Sequence, residues 1–141
     1  NARAAFIGLT ASHTRGHLAR AVMEGVAFSL RDSFEIFRSL GADINTIRLG
    51  GGGSQSEIWC QIQADVYGQN VQTIEADEGA AFGAAILAGV GVGAWESVDD
   101  ACSRTIRIAK HVDVNPVSAR ALATNYEIYK RLYPVLRSIR P

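Results

Sequence analysis

Apolar residues recur at helical spacing over the opening third of the chain. Leu18, Val22, Val26, Leu30, Phe34 and Phe37 form one continuous stripe, which predicts a long helix over 17–40. At 1.5 Å per residue such a helix runs roughly 36 Å, the width of a small domain. Gly41 follows the last apolar position and suits a left-handed C-cap. Gly25 interrupts the stripe at a cost of about 1 kcal/mol relative to alanine, which implies another element packed close to it. Shorter segments follow. Ile44, Ile47 and Leu49 predict a strand over 44–49, four glycines occupy 50–53, and a helix is expected over 54–67. The helix would open on Ser54-Gln55-Ser56-Glu57, a Ser-x-x-Glu capping box, and bury Ile58, Ile62 and Val66 with Trp59 beside them. Gly68 closes it.

The second half continues the alternation. A strand over 70–75 carries Val71 and Thr73 on one side. Asp77 and Glu78 bring negative charge to the start of a small-residue helix over 79–89, which Gly91 and Gly93 break. Gly79 and Gly83, followed by Ala84 and Ala85, predict close packing on that helix. Ser97 caps a short helix through Ala101 and Cys102, and 105–114 alternates loosely as a third strand. Asn115-Pro116 then reads as a cap and a first-turn proline. Leu122, Tyr126, Tyr129 and Tyr133 line one face of the final helix, and Pro134 should kink or end it. The expected class is α/β, a small sheet packed with long helices in a single domain over 1–141.

Composition narrows the function. The 141 residues are 48% hydrophobic and 20% charged, enough for one core and unlike a disordered tail. Fourteen basic and 14 acidic side chains balance, so neither nucleic acid nor an anionic membrane is expected as a principal partner. Cys60 and Cys102 make neither a disulfide framework nor a four-ligand zinc site, which suits a reducing, cytoplasmic setting. The first residues lack the pattern of a signal peptide, and the uncharged run over 79–95 is too rich in Gly and Ala for a spanning helix. Met23, the sole methionine, is expected inside a helix, so the sequence reads either as part of a longer polypeptide or as one with a processed end.

The glycine run is the chemically suggestive feature. Glycines between a strand end and a helix start let the main chain approach a ligand and aim N–H groups at an anion. A P-loop is excluded, because Ser54 and Gln55 follow the run and no lysine does. A dinucleotide fingerprint lacks its third glycine, where Gln55 stands, although Glu75 could serve as its acidic partner. A capping Ser54 would occupy first-turn donors, favouring a nucleoside and its α-phosphate over a grip on the γ-phosphate. The alternative is a purely structural turn in a packing or oligomerisation piece. His13, His17 and His111 have no metal-ligand spacing and suit surface or capping roles. Cys60 and Cys102 read as inert thiols, and Asp99-Asp100 as a solvated first turn. Asp65 opposes the dipole of its own helix and calls for a partner. No catalytic base and no metal ligand can be named.

Four segments together resemble a known family. They are Gly8-Leu9-Thr10, the run from Arg20 to Ala27, Gly51 to Trp59 with Gln61 and Ala64-Asp65, and Glu78 to Ala85. In this order they are similar to the C-terminal domain of the FGGY carbohydrate kinases. His13-Thr14-Arg15 and the tail from Tyr126 to Tyr133 look like its xylulose-phosphorylating members. The resemblance implies an actin-like ATPase fold, in which two ribonuclease-H-like domains flank a cleft holding ATP and the sugar. It implies that the main-chain amides of Gly51, Gly52 and Gly53 run beside the nucleoside and that Ser56 reaches the adenine. Glu78, Gly79 and Gly83 would support the site from behind. A complete member is about three times longer; its first domain would hold the sugar pocket, the catalytic aspartate and most contacts to Mg2+, and the opening strands of the second domain are also expected to lie outside residues 1–141, which form its C-terminal portion. The chain is thus expected to need that domain as a partner and to be inactive alone, with a homo-oligomer also open.

Overall fold

A computed structural model of the protein describes residues 4–75 and 79–138. Helix α1 spans Arg15–Ser39 and strand β1 spans Ile47–Leu49. A 3-10 turn, Gly52–Gln55, leads into α2, Glu57–Tyr67, and β2 covers Val71–Ile74. Then come α3, Gly79–Gly91, α4, Val98–Thr105, β3, Ile108–Val112, and α5, Pro116–Ser138. The sheet order is β1-β2-β3, with β1 parallel to β2 and β3 antiparallel to it. This is the expected small sheet with long helices. Asp77 and Glu78, expected to open α3, lie outside the described residues.

The core joins α1, α2 and α5 to the parallel strand pair. Ala27 and Phe28 of α1, Ile62, Ala64, Val66 and Tyr67 of α2, and Leu122 and Tyr126 of α5 are buried with Ile47 and Val71. The expected stripe on α1 is corrected here. Val22, Val26, Leu30 and Phe37 are exposed; of the expected stripe Phe34 packs against the core, where Met23, Ala27 and Phe28 join it. A helix carries adjacent i,i+4 rows, and α2 and α5 seat against the neighbouring row. Ile58, expected inside, is also exposed, because α2 starts at Glu57 and leaves Ile58 on its first turn.

Polar pins hold the three helices. The Asp65 carboxylate is buried at the end of α2, where its own helix dipole disfavours it. Its Oδ1 accepts the Asn115 N–H at 2.8 Å and the Gln61 amide at 2.9 Å, so it serves the start of α5 instead. Asn115 caps α5 in turn, accepting from the N–H groups of Val117 and Ser118. Arg31 donates to the Val66 carbonyl at 2.8 Å and lies 4.2 Å from the centre of the Tyr126 ring. The Tyr126 hydroxyl donates to Asp32 at 2.6 Å, closing the seam between α1 and α5.

Four further expectations are revised. A Cβ on Gly25, Gly79 or Gly83 would meet nothing within 4 Å, so no described element packs close to any of them. Of the two outcomes expected at Pro134, a kink or an end, the end is excluded, since the residue stands inside α5, where one carbonyl a turn earlier loses its donor. Tyr133 is exposed. Strand β3 is shorter than 105–114, because Thr105 still belongs to α4 and the Val114 N–H turns to the Asn70 side chain.

Candidate functional site

The parallel pair fixes where a ligand can sit. Leu49 aligns with Thr73, so β1 and β2 end on the same side of the sheet, and the glycine turn follows directly. Ligands of α/β sheets gather beyond the carboxyl ends of parallel strands. Gly50 packs on the Ile74 side chain, where a Cβ would lie 3.5 Å from Cδ1. Gly51 reverses the chain with φ 76° and ψ 176°, a conformation essentially reserved for glycine. The Ser54 N–H and hydroxyl both donate to the Gly51 carbonyl, at 3.0 and 2.8 Å, and lock the turn.

The four expected site residues are therefore brought together on one turn. Gly52, Gly53 and Ser56 are exposed and Gly51 is half-buried, so the bend is not sealed under side chains. Gly52 and Gly53 begin the 3-10 turn, and the first N–H groups of a helical turn have no acceptor within it. The capping assignment is corrected: Ser56, not Ser54, is the N-cap of α2, accepting from the Trp59 N–H at 3.3 Å. Releasing Ser54 from that role places its hydroxyl inside the turn. Ser56 is exposed, and its hydroxyl can still donate while its oxygen caps α2.

Sequence reasoning missed how the turn is supported from below. The Trp59 ring lies against Gly53, at 3.3 Å from where a Cβ would stand. Its place on the first turn of α2, three residues after the cap, was the available signal. Cys60 is buried beneath, its thiol donating to the Ser54 carbonyl at 3.2 Å. Burial pushes that thiol's pKa up, so it is a structural donor and not a nucleophile. Beside the turn, Glu57 and Lys110 pair at 2.8 Å. The hydrogen bond and charge of Lys110 hold the Glu57 carboxyl below its usual range, and Glu57 raises Lys110 in return.

His13 and His17 take capping roles, as expected. Their Nδ1 atoms accept the N–H groups of Thr10 and Thr14 at 3.0 and 3.1 Å. Among the described residues no three His, Cys, Asp or Glu side chains gather as a metal site. No described helix is long and apolar enough to cross a membrane.

Comparison with known proteins places this arrangement. Residues 1–92 match the FGGY family of carbohydrate kinases, C-terminal domain. The chain is 37% identical over 131 residues to the xylulose kinase of Bacillus subtilis, covering 93% of this chain and 26% of that protein. It is 37% identical over 100 residues to a glycerol kinase of Saccharolobus islandicus, covering 70% of this chain and 20% of that one. The crystal structure of xylulose kinase from Rhodospirillum rubrum superposes with a TM-score of 0.81 at 33% identity, over 95% of this chain and 27% of the other. The chain thus spans about a quarter of the length of the xylulose kinases it matches. Its α/β architecture is that of the actin-like sugar kinases, and the chain belongs to the FGGY family of carbohydrate kinases.

Proposed function

We propose that this chain forms the adenosine side of the cleft in an ATP-dependent, cytoplasmic sugar kinase. The carrying observation is the open glycine turn at the end of β1, where Gly52 and Gly53 are exposed on a bend fixed by Gly51. On this reading the main chain of Gly51, Gly52 and Gly53 lies along the nucleoside and the Ser56 hydroxyl meets the adenine. Donors without side chains and an exposed hydroxyl suit a neutral base and ribose. A triphosphate–Mg2+ group is better met by cations and by one or two carboxylates that complete the metal's shell. The metal, the γ-phosphate and the base that takes the sugar proton are then held by the rest of the kinase.

Phosphoryl transfer depends on positioning and on stabilising charge across the reacting oxygens. A chain that holds only the nucleoside end supplies neither, so the isolated chain is inactive. The reaction proposed for the complete kinase is ATP + D-xylulose to D-xylulose 5-phosphate + ADP. Similarity to both a xylulose kinase and a glycerol kinase fits a nucleotide wall shared among enzymes whose substrates are chosen elsewhere.

Two assays test this. The complete polypeptide should release ADP from ATP and Mg2+ on addition of D-xylulose, while the 141-residue chain releases none above blank. ADP at millimolar concentration should change Trp59 emission in a Trp95→Phe background. Sugar phosphate made by the chain alone would overturn the division of labour. An emission unmoved by ADP in the complete polypeptide would overturn the berth.

A further inference from the structure

The glycine turn would be a loose arch if its own hydrogen bonds alone held it. Its extensive contacts are with α2, so what fixes it in place comes from that helix. Two side chains of α2 reach it. The Trp59 ring lies against Gly53, a packing contact that limits how far the turn can sink. Cys60 supplies the directional tie: its thiol donates to the Ser54 carbonyl at 3.2 Å, back across six residues. Ser54 passes the restraint on. Its N–H and hydroxyl both donate to the Gly51 carbonyl, at 3.0 and 2.8 Å, so the main chain over 51–54 is held as one unit. Burial decides which neighbour matters. The Glu57 and Lys110 side chains beside the turn are 82% and 62% exposed, and pairs open to solvent are worth little. Cys60 is 2% exposed, so water does not compete for its thiol. Burial also pushes its ionisation up, which keeps the proton on sulfur and the donor intact.

We propose that Cys60 is a positioning residue for nucleotide binding: through the Ser54 carbonyl it sets the orientation of the 51–54 main chain against which the nucleoside lies. This rests on reading the glycine turn as the nucleoside berth. The thiol touches no nucleotide atom and does no covalent chemistry; it acts through Ser54. A turn released from Cys60 visits orientations that do not match the nucleoside, and affinity falls by the fraction of time it spends in them. A single neutral hydrogen bond biases such an equilibrium by roughly 3- to 10-fold, which bounds the effect. The same bond explains a thiol at a buried position of α2 that an apolar side chain could fill: the half-buried Ser54 carbonyl requires a donor from below.

Three substitutions in the complete polypeptide test the assignment. Cys60→Val keeps the bulk and removes the donor, Cys60→Ala removes both, and Cys60→Ser keeps a donor on a shorter bond. Each is followed by urea unfolding, ADP titration and sugar-dependent ADP release. The Kd for ADP and the KM for ATP should rise roughly 3- to 10-fold in Cys60→Val and Cys60→Ala alike, with kcat at saturating ATP within about twofold of the parent. Cys60→Ser should stay within about twofold of the parent in all three constants. Affinity would then follow the donor and not stability, since alanine and valine leave cavities of different size. Affinity that instead tracks the unfolding midpoint overturns the proposal, as does a fall in kcat with KM unchanged. Should Cys60→Val fail to fold, the comparison of alanine with serine decides by the same criterion. A parent that binds no ADP at millimolar concentration refutes the berth, and the positioning role with it. A parent that binds ADP, with a Cys60→Val or Cys60→Ala variant that binds equally well, refutes the positioning role alone.

Discussion

Three adjacent glycines should respond to alanine in three different ways. Gly51 sits at φ 76° and ψ 176°, with nothing within 4 Å of a Cβ, so Gly51→Ala costs backbone strain and no clash. That strain is about 1–3 kcal/mol, offset by roughly 0.4–1 kcal/mol from the stiffer unfolded chain, a net loss of about 1–2 kcal/mol. The midpoint of thermal unfolding should fall by roughly 3–6 °C. At Gly52 a Cβ again meets nothing and φ is not positive, so only the unfolded-state gain remains, about 0.4–1 kcal/mol of stabilisation. At Gly53 the Cβ would press the Trp59 ring at 3.3 Å, and a shift of the ring leaves stability within about 0.5 kcal/mol while moving Trp59 emission. Urea and thermal unfolding of the three variants measure the order. Function should not follow it: Gly52→Ala, the most stable, places a methyl on the open face of the turn and should weaken ADP by about tenfold, 1.4 kcal/mol. A Gly52→Ala variant as unstable as Gly51→Ala, or one with unchanged ADP affinity, would refute the reasoning.

Other perturbations test the scaffold. Gly89→Ala should destabilise the α3–α4 pair by about 1–3 kcal/mol and shift Trp95 emission, since a Cβ there would overlap the Trp95 ring. Asp65→Ala should cost about 3 kcal/mol in urea unfolding by orphaning the Asn115 N–H, and Asp65→Asn clearly less, since its amide oxygen still accepts. Tyr67 is held protonated by burial, its pKa pushed up to about 12 from an unfolded value near 10. A raised folded pKa stabilises fully below the unfolded value, so this contribution is present below about pH 10 and lost as pH rises toward 12. Tyr67→Phe should lessen the fall in stability across that window, with Tyr126 and Tyr129, also raised by burial, supplying the rest, and tyrosinate absorbance should report the late ionisation.

Much of the fold was legible because local signals and tertiary packing agree. The spacing over 17–40 matches α1 within two residues, and Gly68 takes the left-handed C-cap position, with φ 63°. Asn115-Pro116 marks the start of α5 for a local reason, a side-chain cap before a preset φ. What failed needed knowledge of neighbours. Periodicity shows that α1 is apolar on two adjacent rows but not which row α2 and α5 will cover, so Val22, Val26 and Leu30 were assigned to the wrong side. Small residues at Gly25, Gly79 and Gly83 signal close approach, yet no described element supplies it. At the site, the glycine turn was visible in sequence. The cap was misplaced by two residues because Ser54 and Ser56 are both competent, and only the 3-10 turn decides between them.

The nucleoside berth itself is tested most directly by nuclear magnetic resonance. An isotope-labelled chain titrated with ADP to millimolar concentration should show saturable shifts of the Gly51, Gly52, Gly53 and Ser56 amides and of the Trp59 indole N–H. Ribose 5-phosphate, lacking the base, should leave Ser56 unmoved. Shifts confined to the seam between α1 and α5, or none at the glycine turn, would contradict the account.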